Sequence, residues 1–147
     1  NAMATHPAVA LAAAVGMPDA YAGELPVCFV QLLQDAEASL EDLQQHAQDT
    51  IDERPAWPKL IHIVDTIPLT TVGKIFKPSL RCDAARHRIT GLVQDEFGLS
   101  SAKVEVAAGG TRGMQVTVTV SQADRAAVAE LESALAAFLF EAHVQVK

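Results

Sequence analysis

Between Met114 and Val120 every second side chain is apolar: Met114, Val116, Val118 and Val120 alternate with Gln115, Thr117 and Thr119. A period of two puts the first set on one face of a strand and the second set on the other. Such a strand belongs in a sheet with one face packed and the other wet, so the end of this chain reads as a half-buried sheet with helices layered on one side. The flanking sequence supplies the layers. Ala85, Ile89, Leu92, Val93 and Phe97 form a helical stripe that Gly98 ends, and a strand follows over residues 103–107. Ser121, with Asp124 at the box position, reads as the cap of a helix carrying Val128, Leu131, Leu135 and Phe138, and residues 142–146 read as a last strand.

The resulting order, α-β-β-α-β over residues 82–147, is consistent with a ferredoxin-like half-sandwich, a split βαβ in which two helices cover one face of an antiparallel sheet. Gly109-Gly110-Thr111-Arg112-Gly113 lies between its first two strands. It lacks the lysine and the following helix of a phosphate loop and is read as a hairpin turn. His87 and His143 are far apart in sequence with no acid at ligand spacing, so neither metal binding nor acid–base work is expected there. This unit carries no catalytic constellation and is read as a packing or interaction module.

The first half has a different texture. Residues 9–15 and 26–33 read as strands and residues 60–64 as a third, in which His62 faces away from Ile61 and Ile63. Ser39 is placed to cap a helix running to Glu53, with Leu40, Leu43, Ala47 and Ile51 on one face and Asp42 completing a capping box. Pro55 and Pro58 end that helix, and Trp57 between them is expected to anchor the loop to the core. Beyond the third strand comes Pro68-Leu69-Thr70-Thr71-Val72-Gly73-Lys74-Ile75. Pro68 fixes φ, Thr70 and Thr71 bond nearby backbone, and Gly73 opens angles closed to other residues. Lys74 is thereby aimed from a stiff turn, as a phosphate or carboxylate ligand requires.

Pro68, Thr70, Gly73 and Lys74 fit Pro-x-Thr-x-x-Gly-Lys, which resembles the catalytic-lysine signature in the C-terminal lid domain of AMP-forming acyl-CoA synthetases, members of the acyl-adenylate-forming enzymes. His6-Pro7-Ala8-Val9, then Val15-Gly16-Met17-Pro18-Asp19 and Gly23-Glu24, is similar to the part of that lid after its first helix. Pro26-Val27-Cys28-Phe29-Val30 is similar to the strand that follows, and Ile75-Phe76-Lys77-Pro78-Ser79-Leu80-Arg81 to the ending of synthetases with an extra tail. The resemblance implies an α+β fold: a lid domain over residues 4–81 without its first elements, then a small α+β extension over 82–147.

What the resemblance implies about function is equally definite. Lys74 receives the catalytic role, contacting the acyl carboxylate and the ATP α-phosphate during adenylation, with Thr70 and Gly73 as its support. ATP, Mg2+ and CoA would be bound mainly by an N-terminal adenylation domain of the same polypeptide, which is the expected partner. The chain alone would be inactive and hold no cofactor or metal. The family's hinge and its Gly-Arg-x-x-Asp stretch are expected upstream of His6. The competing expectation is a free-standing small-molecule-binding or dimerisation module of ferredoxin-like type.

Composition narrows the rest. Eleven Lys and Arg against eighteen Asp and Glu give a net charge of −7, which opposes a nucleic-acid surface, where clustered positive charge supplies most of the affinity. Half the residues are hydrophobic, yet no apolar run approaches the roughly 18 residues of a membrane span, so a cytoplasmic protein is expected. Cys28 and Cys82 have no metal spacing and are read as reduced thiols. Asn1-Ala2-Met3 is set aside from the fold. With no helix of the chain to cover them from one side, Val9, Leu11, Val15 and Phe29 are expected to form an open apolar face that drives a homodimer.

Overall fold

The computed structural model describes residues 2–147, which divide into two compact units: residues 2–16 with 25–80, and residues 17–24 with 81–147. Both combine a three-stranded sheet with helices, so the chain is α+β.

In the first unit the sheet order is β1-β2-β3. Strands β1 (Val9–Asp19) and β2 (Gly23–Leu32) are separated by three residues, a connection that permits only antiparallel pairing. At their open end the Leu33 N–H donates to Ala8 O at 2.8 Å. Strand β1 runs four residues past its expected end and includes Pro18, which an edge strand tolerates because its outer N–H has no ladder partner to lose. Helix α1 (Leu40–Thr50) then crosses back so that β3 (Leu60–Ile63) lies parallel to β2, Val27 opposite Leu60 and Val30 opposite Ile63. The capping box is present: Asp42 N–H donates to Ser39 Oγ at 3.1 Å, and Ser39 N–H to Asp42 Oδ2 at 3.4 Å. The helix stops three residues short of Glu53, because Ile51 is already extended and a short 3-10 turn, Arg54–Ala56, starts ahead of Trp57. Trp57 anchors this loop, its Nε1–H donating to Ile51 O at 2.9 Å.

Central strand β2 is buried on both faces: Val27, Cys28, Phe29 and Val30 are each at most 1% exposed. Cys28 and Val30 pack under Leu43 and Ala47 of α1, with Val9, Ala12 and Ile61 beside them. On the opposite face the His62 ring lies 4.9 Å from that of Phe29, so His62 does face away from Ile61, but onto an aromatic ring. Two expectations are corrected here. Met3 is 1% exposed and belongs to this core, and residues Ala2–Thr5 form a 3-10 turn held against α1 by His46, whose Nε2 is 3.2 Å from Ala2 O and 2.8 Å from Thr5 Oγ1. Val9, Val15 and Phe29 are buried and Leu11 is half-buried, so the open apolar face and its reason for self-association are absent. Met3 and α1 supply the cover over Val9.

Helix α2 (Lys77–Gly91) belongs to the second unit from Arg81 onward; it passes into one π-helical turn, Leu92–Glu96, and the chain leaves it through Gly98 at φ +68°. Strand β4 (Lys103–Ala108) pairs antiparallel with β5 (Met114–Val120), Lys103 opposite Thr119. A 3-10 turn, Gln122–Ala127, leads into α3 (Val128–Leu135), and β6 (Glu141–Val146) returns parallel to β5 with Val116 opposite Ala142. The α-β-β-α-β order is as expected, but the sheet is mixed, and no strand separates β5 from β6. Turn and helix together give the dozen or so residues that an unsplit parallel crossover needs. Val116, Val118 and Val120 face Ile89, Val93, Leu131 and Leu135, as the alternation requires. Two details differ. Ser121 Oγ donates to the Asp124 carboxylate at 3.1 Å instead of capping a backbone N–H, so the first turns are 3-10, and Phe138 lies beyond α3, stacked 5.2 Å from Phe140.

Candidate functional site

The lysine turn is built from both sides. Ile67, 1% exposed, donates its N–H to Gln31 Oε1 at 2.7 Å, which ties the start of the turn to β2. Leu69 and Ile75 form an antiparallel bridge, and Phe76 N–H donates to Pro68 O at 2.8 Å, closing the base. Inside, Thr70 N–H donates to Lys74 O at 2.6 Å and Gly73 N–H to Thr70 O at 3.0 Å. The Thr70 hydroxyl accepts from Lys74 N–H at 3.1 Å, so Thr70 holds Lys74 through both backbone and side chain. Gly73 sits at φ +83° with open space where a Cβ would go, so it is needed for its backbone angle and not for room. Thr71 is exposed.

Everything that is braced here is main chain; the Lys74 side chain is left out of the brace. It is exposed, and none of the acidic groups among the described residues pairs with it. A compact ammonium on a four-carbon stem, carried by a fixed turn, suits a contact with two anionic oxygens that arrive from outside. Leu69, Val72 and Phe76 of the same turn are 49%, 77% and 44% exposed, so the turn carries apolar side chains in solvent as well as the ammonium. Gln31 escaped the sequence reading; its signal is a single amide in the run Pro26-Val27-Cys28-Phe29-Val30-Gln31-Leu32, where burial calls for a hydrogen-bond partner.

The other sequence candidates take no part. The glycine-rich stretch is a hairpin turn, with Gly109 N–H donating to Gly113 O at 3.0 Å, and its Thr111 donates from both N–H and hydroxyl to the Glu141 carboxylate. Those bonds hold the Glu141 carboxyl below its usual range, with Gln115 adding a further donor. His143 is exposed on β6 and His87 lies on α2 beside Arg86 and Thr90. Among the described residues no group of three or more His, Cys, Asp and Glu side chains is placed to hold a metal ion. Burial pushes the Cys28 thiol up to about 11, and burial, then the Asp83 charge, raises that of Cys82; both are free thiols. No helix among the described residues is long and apolar enough to cross a membrane.

A hairpin, a crossover helix, a parallel third strand and a lysine-bearing turn define an acyl-adenylating-enzyme lid fold. The chain belongs to the AMP-binding enzyme C-terminal domain family, whose pattern it matches over residues 1–74. It is 45% identical over 94 residues to marinolic acid–CoA ligase of a Pseudoalteromonas species, covering 64% of this chain and 14% of that protein. It is 37% identical over 108 residues to acetyl-coenzyme A synthetase of Pyrobaculum aerophilum, covering 70% and 16%. Among solved structures, the acyl-CoA synthetase of Brucella canis matches with a TM-score of 0.51 at 35% identity, over 56% of this chain and 16% of that one. The chain thus spans about one-sixth or less of the length of these relatives.

Proposed function

We propose that this chain is the catalytic-lysine lid of an AMP-forming acyl-CoA synthetase that joins a carboxylic acid to ATP and then to CoA. The reaction has two steps: carboxylate attack on the α-phosphate gives acyl-adenylate and pyrophosphate, and the CoA thiol then displaces AMP. Lys74 serves the first, its ammonium set between the carboxylate and α-phosphate oxygens as charge builds between them. Thr70 and Gly73 position it. ATP, Mg2+ and CoA are held mainly by an N-terminal adenylation domain of the same polypeptide, against which the apolar rim of Leu69, Val72 and Phe76 docks. The chain alone has no adenylating activity. Its setting is the cytoplasm, and fatty or other carboxylic acids are the substrate class.

The observation that carries this reading is the exposed, unpaired ammonium on a turn whose backbone is braced at Pro68, Thr70, Gly73, Lys74 and Phe76. The test is Lys74→Ala in the parent synthetase with the two half-reactions assayed separately. Adenylation, read by pyrophosphate release, falls by roughly 10²–10³ or more, the usual effect of deleting one preorganised charge contact. Thioester formation from supplied acyl-adenylate survives. Equal loss in both half-reactions would overturn the assignment.

A further inference from the structure

Strand β6 is an edge of its sheet, and the direction of its hydrogen bonds is fixed by one contact: the Lys147 N–H donates to Val120 O at 3.0 Å, toward β5. Backbone polar groups alternate sides along a strand, so residues 141, 143, 145 and 147 turn theirs toward β5, and Ala142, Val144 and Val146 turn theirs outward. Ala142 and Val144 border an open groove of about 730 Å³, lined also by Leu135 at the end of α3, by Ala136 just beyond it, and by Thr111 and Arg112 of the hairpin turn. His143 and Gln145 are exposed on the wet face of the sheet.

We propose that β6 pairs antiparallel with β6 of a second copy of this chain about a two-fold axis through Val144, making one six-stranded sheet. The choice of occupant rests on self-complementarity. An axis through a residue whose N–H and C=O point outward makes Val144 pair with its own copy through two hydrogen bonds, and Ala142 with Val146 through two more on each side of the axis. The same register sets His143 opposite Gln145 and Glu141 opposite Lys147 in the closely spaced pairs, twice each by symmetry. Glu141 is already held in place by Thr111 and Gln115 and has no cation among the described residues at ion-pair distance, so each Lys147 meets a fixed counter-charge. An axis through Ala142 or Val146 also keeps the hydrogen bonds in phase, but it leaves the two charges unmatched.

The test uses the full chain with Cys82→Ser to remove the half-buried thiol. Analytical ultracentrifugation is expected to show a reversible dimer. Lys147→Glu sets like charges opposite each other at two places and is expected to weaken the dimer about tenfold or more, and Glu141→Lys with Lys147→Glu is expected to restore it. For the register, His143→Cys and Gln145→Cys chains are mixed and oxidised. The mixed 143–145 disulfide forms, in preference to either homodimeric link. A monomer at several hundred micromolar, a dimer indifferent to Lys147→Glu, or homodimeric links that match the mixed one would each overturn the proposal. So would capture of a strand from a different protein with the 147-residue chain remaining monomeric. None of these outcomes bears on the role of Lys74.

Discussion

The chain has two glycine-bearing turns that carry a threonine, and they use it in opposite ways. In the turn over residues 68–76 the Thr70 hydroxyl accepts from the backbone of Lys74, and the charged side chain stays free. In the turn over residues 109–113 Thr111 donates from N–H and hydroxyl to Glu141, and the charge is consumed within the fold. Both turns place glycine at positive φ, Gly73 at +83° and Gly113 at +84°, so backbone shape does not separate them. The difference is whether the charge has been given a partner. A charge left unpaired on a stiffened support is available for work elsewhere, whereas a charge tied to its own turn contributes order.

That contrast breaks most readily at Lys74. In the isolated chain Lys74→Ala should leave the melting temperature unchanged within error, since an exposed unpaired ammonium contributes little to folding, whereas under the proposed role the same change in the full-length protein should abolish adenylation. A destabilised variant would show that the lysine has a structural partner. Next in size, Leu43→Ala, on the fully buried face of α1, should cost about 2–5 kcal/mol in chemical denaturation. Thr70→Val, with its hydroxyl on the surface, should cost about 1 kcal/mol or less. The two losses together rank a core contact of the first unit against the brace of the lysine turn.

The glycines sharpen the comparison. Gly73→Ala meets only backbone strain, on the order of 1 kcal/mol. Gly110→Ala adds to the same strain a contact 2.7 Å from Gln115 Nε2, so it should cost more and dislodge Gln115 from Glu141. Both follow from thermal melts, with the Gln115 amide followed by NMR.

The smallest effect is a pH dependence. The Glu141 carboxyl is held below its unfolded value by Thr111 and then Gln115, so its contribution to stability is present above the ordinary carboxylate range and is lost as pH falls through the depressed value. The melting temperature of Glu141→Gln should lie slightly below that of the parent chain at pH 7 and converge with it in acid. A gap that widens on acidification would contradict the sign.

Much of this was legible in the sequence because the signals were local. Ser39 and Asp42 are three residues apart, and the Val116, Val118, Val120 alternation needs no distant contact to be read. The lysine turn was equally visible in Pro68, Thr70 and Gly73. What escaped depended on tertiary contact. Met3 is buried only because α1 and β1 present a place for it, and the Gln31 brace joins positions 36 residues apart. The mixed pairing of β5 and β6 could not be read from the element order, since an α3 crossover of this length serves either a split or an unsplit arrangement.

The tip of the β1–β2 hairpin, residues 17–24, is counted with the second unit, whose core includes Ala20, while the strands on either side of it are counted with the first. The polypeptide therefore changes unit three times, after Gly16, after Glu24 and after Leu80. One protease cut after Leu80 would leave the second unit in two separate pieces, residues 17–24 on one and residues 81–147 on the other. Expression of residues 81–147 alone would produce a core lacking one of its wall segments. Moving residues 81–147 into another protein would require transplanting the eight-residue tip along with them.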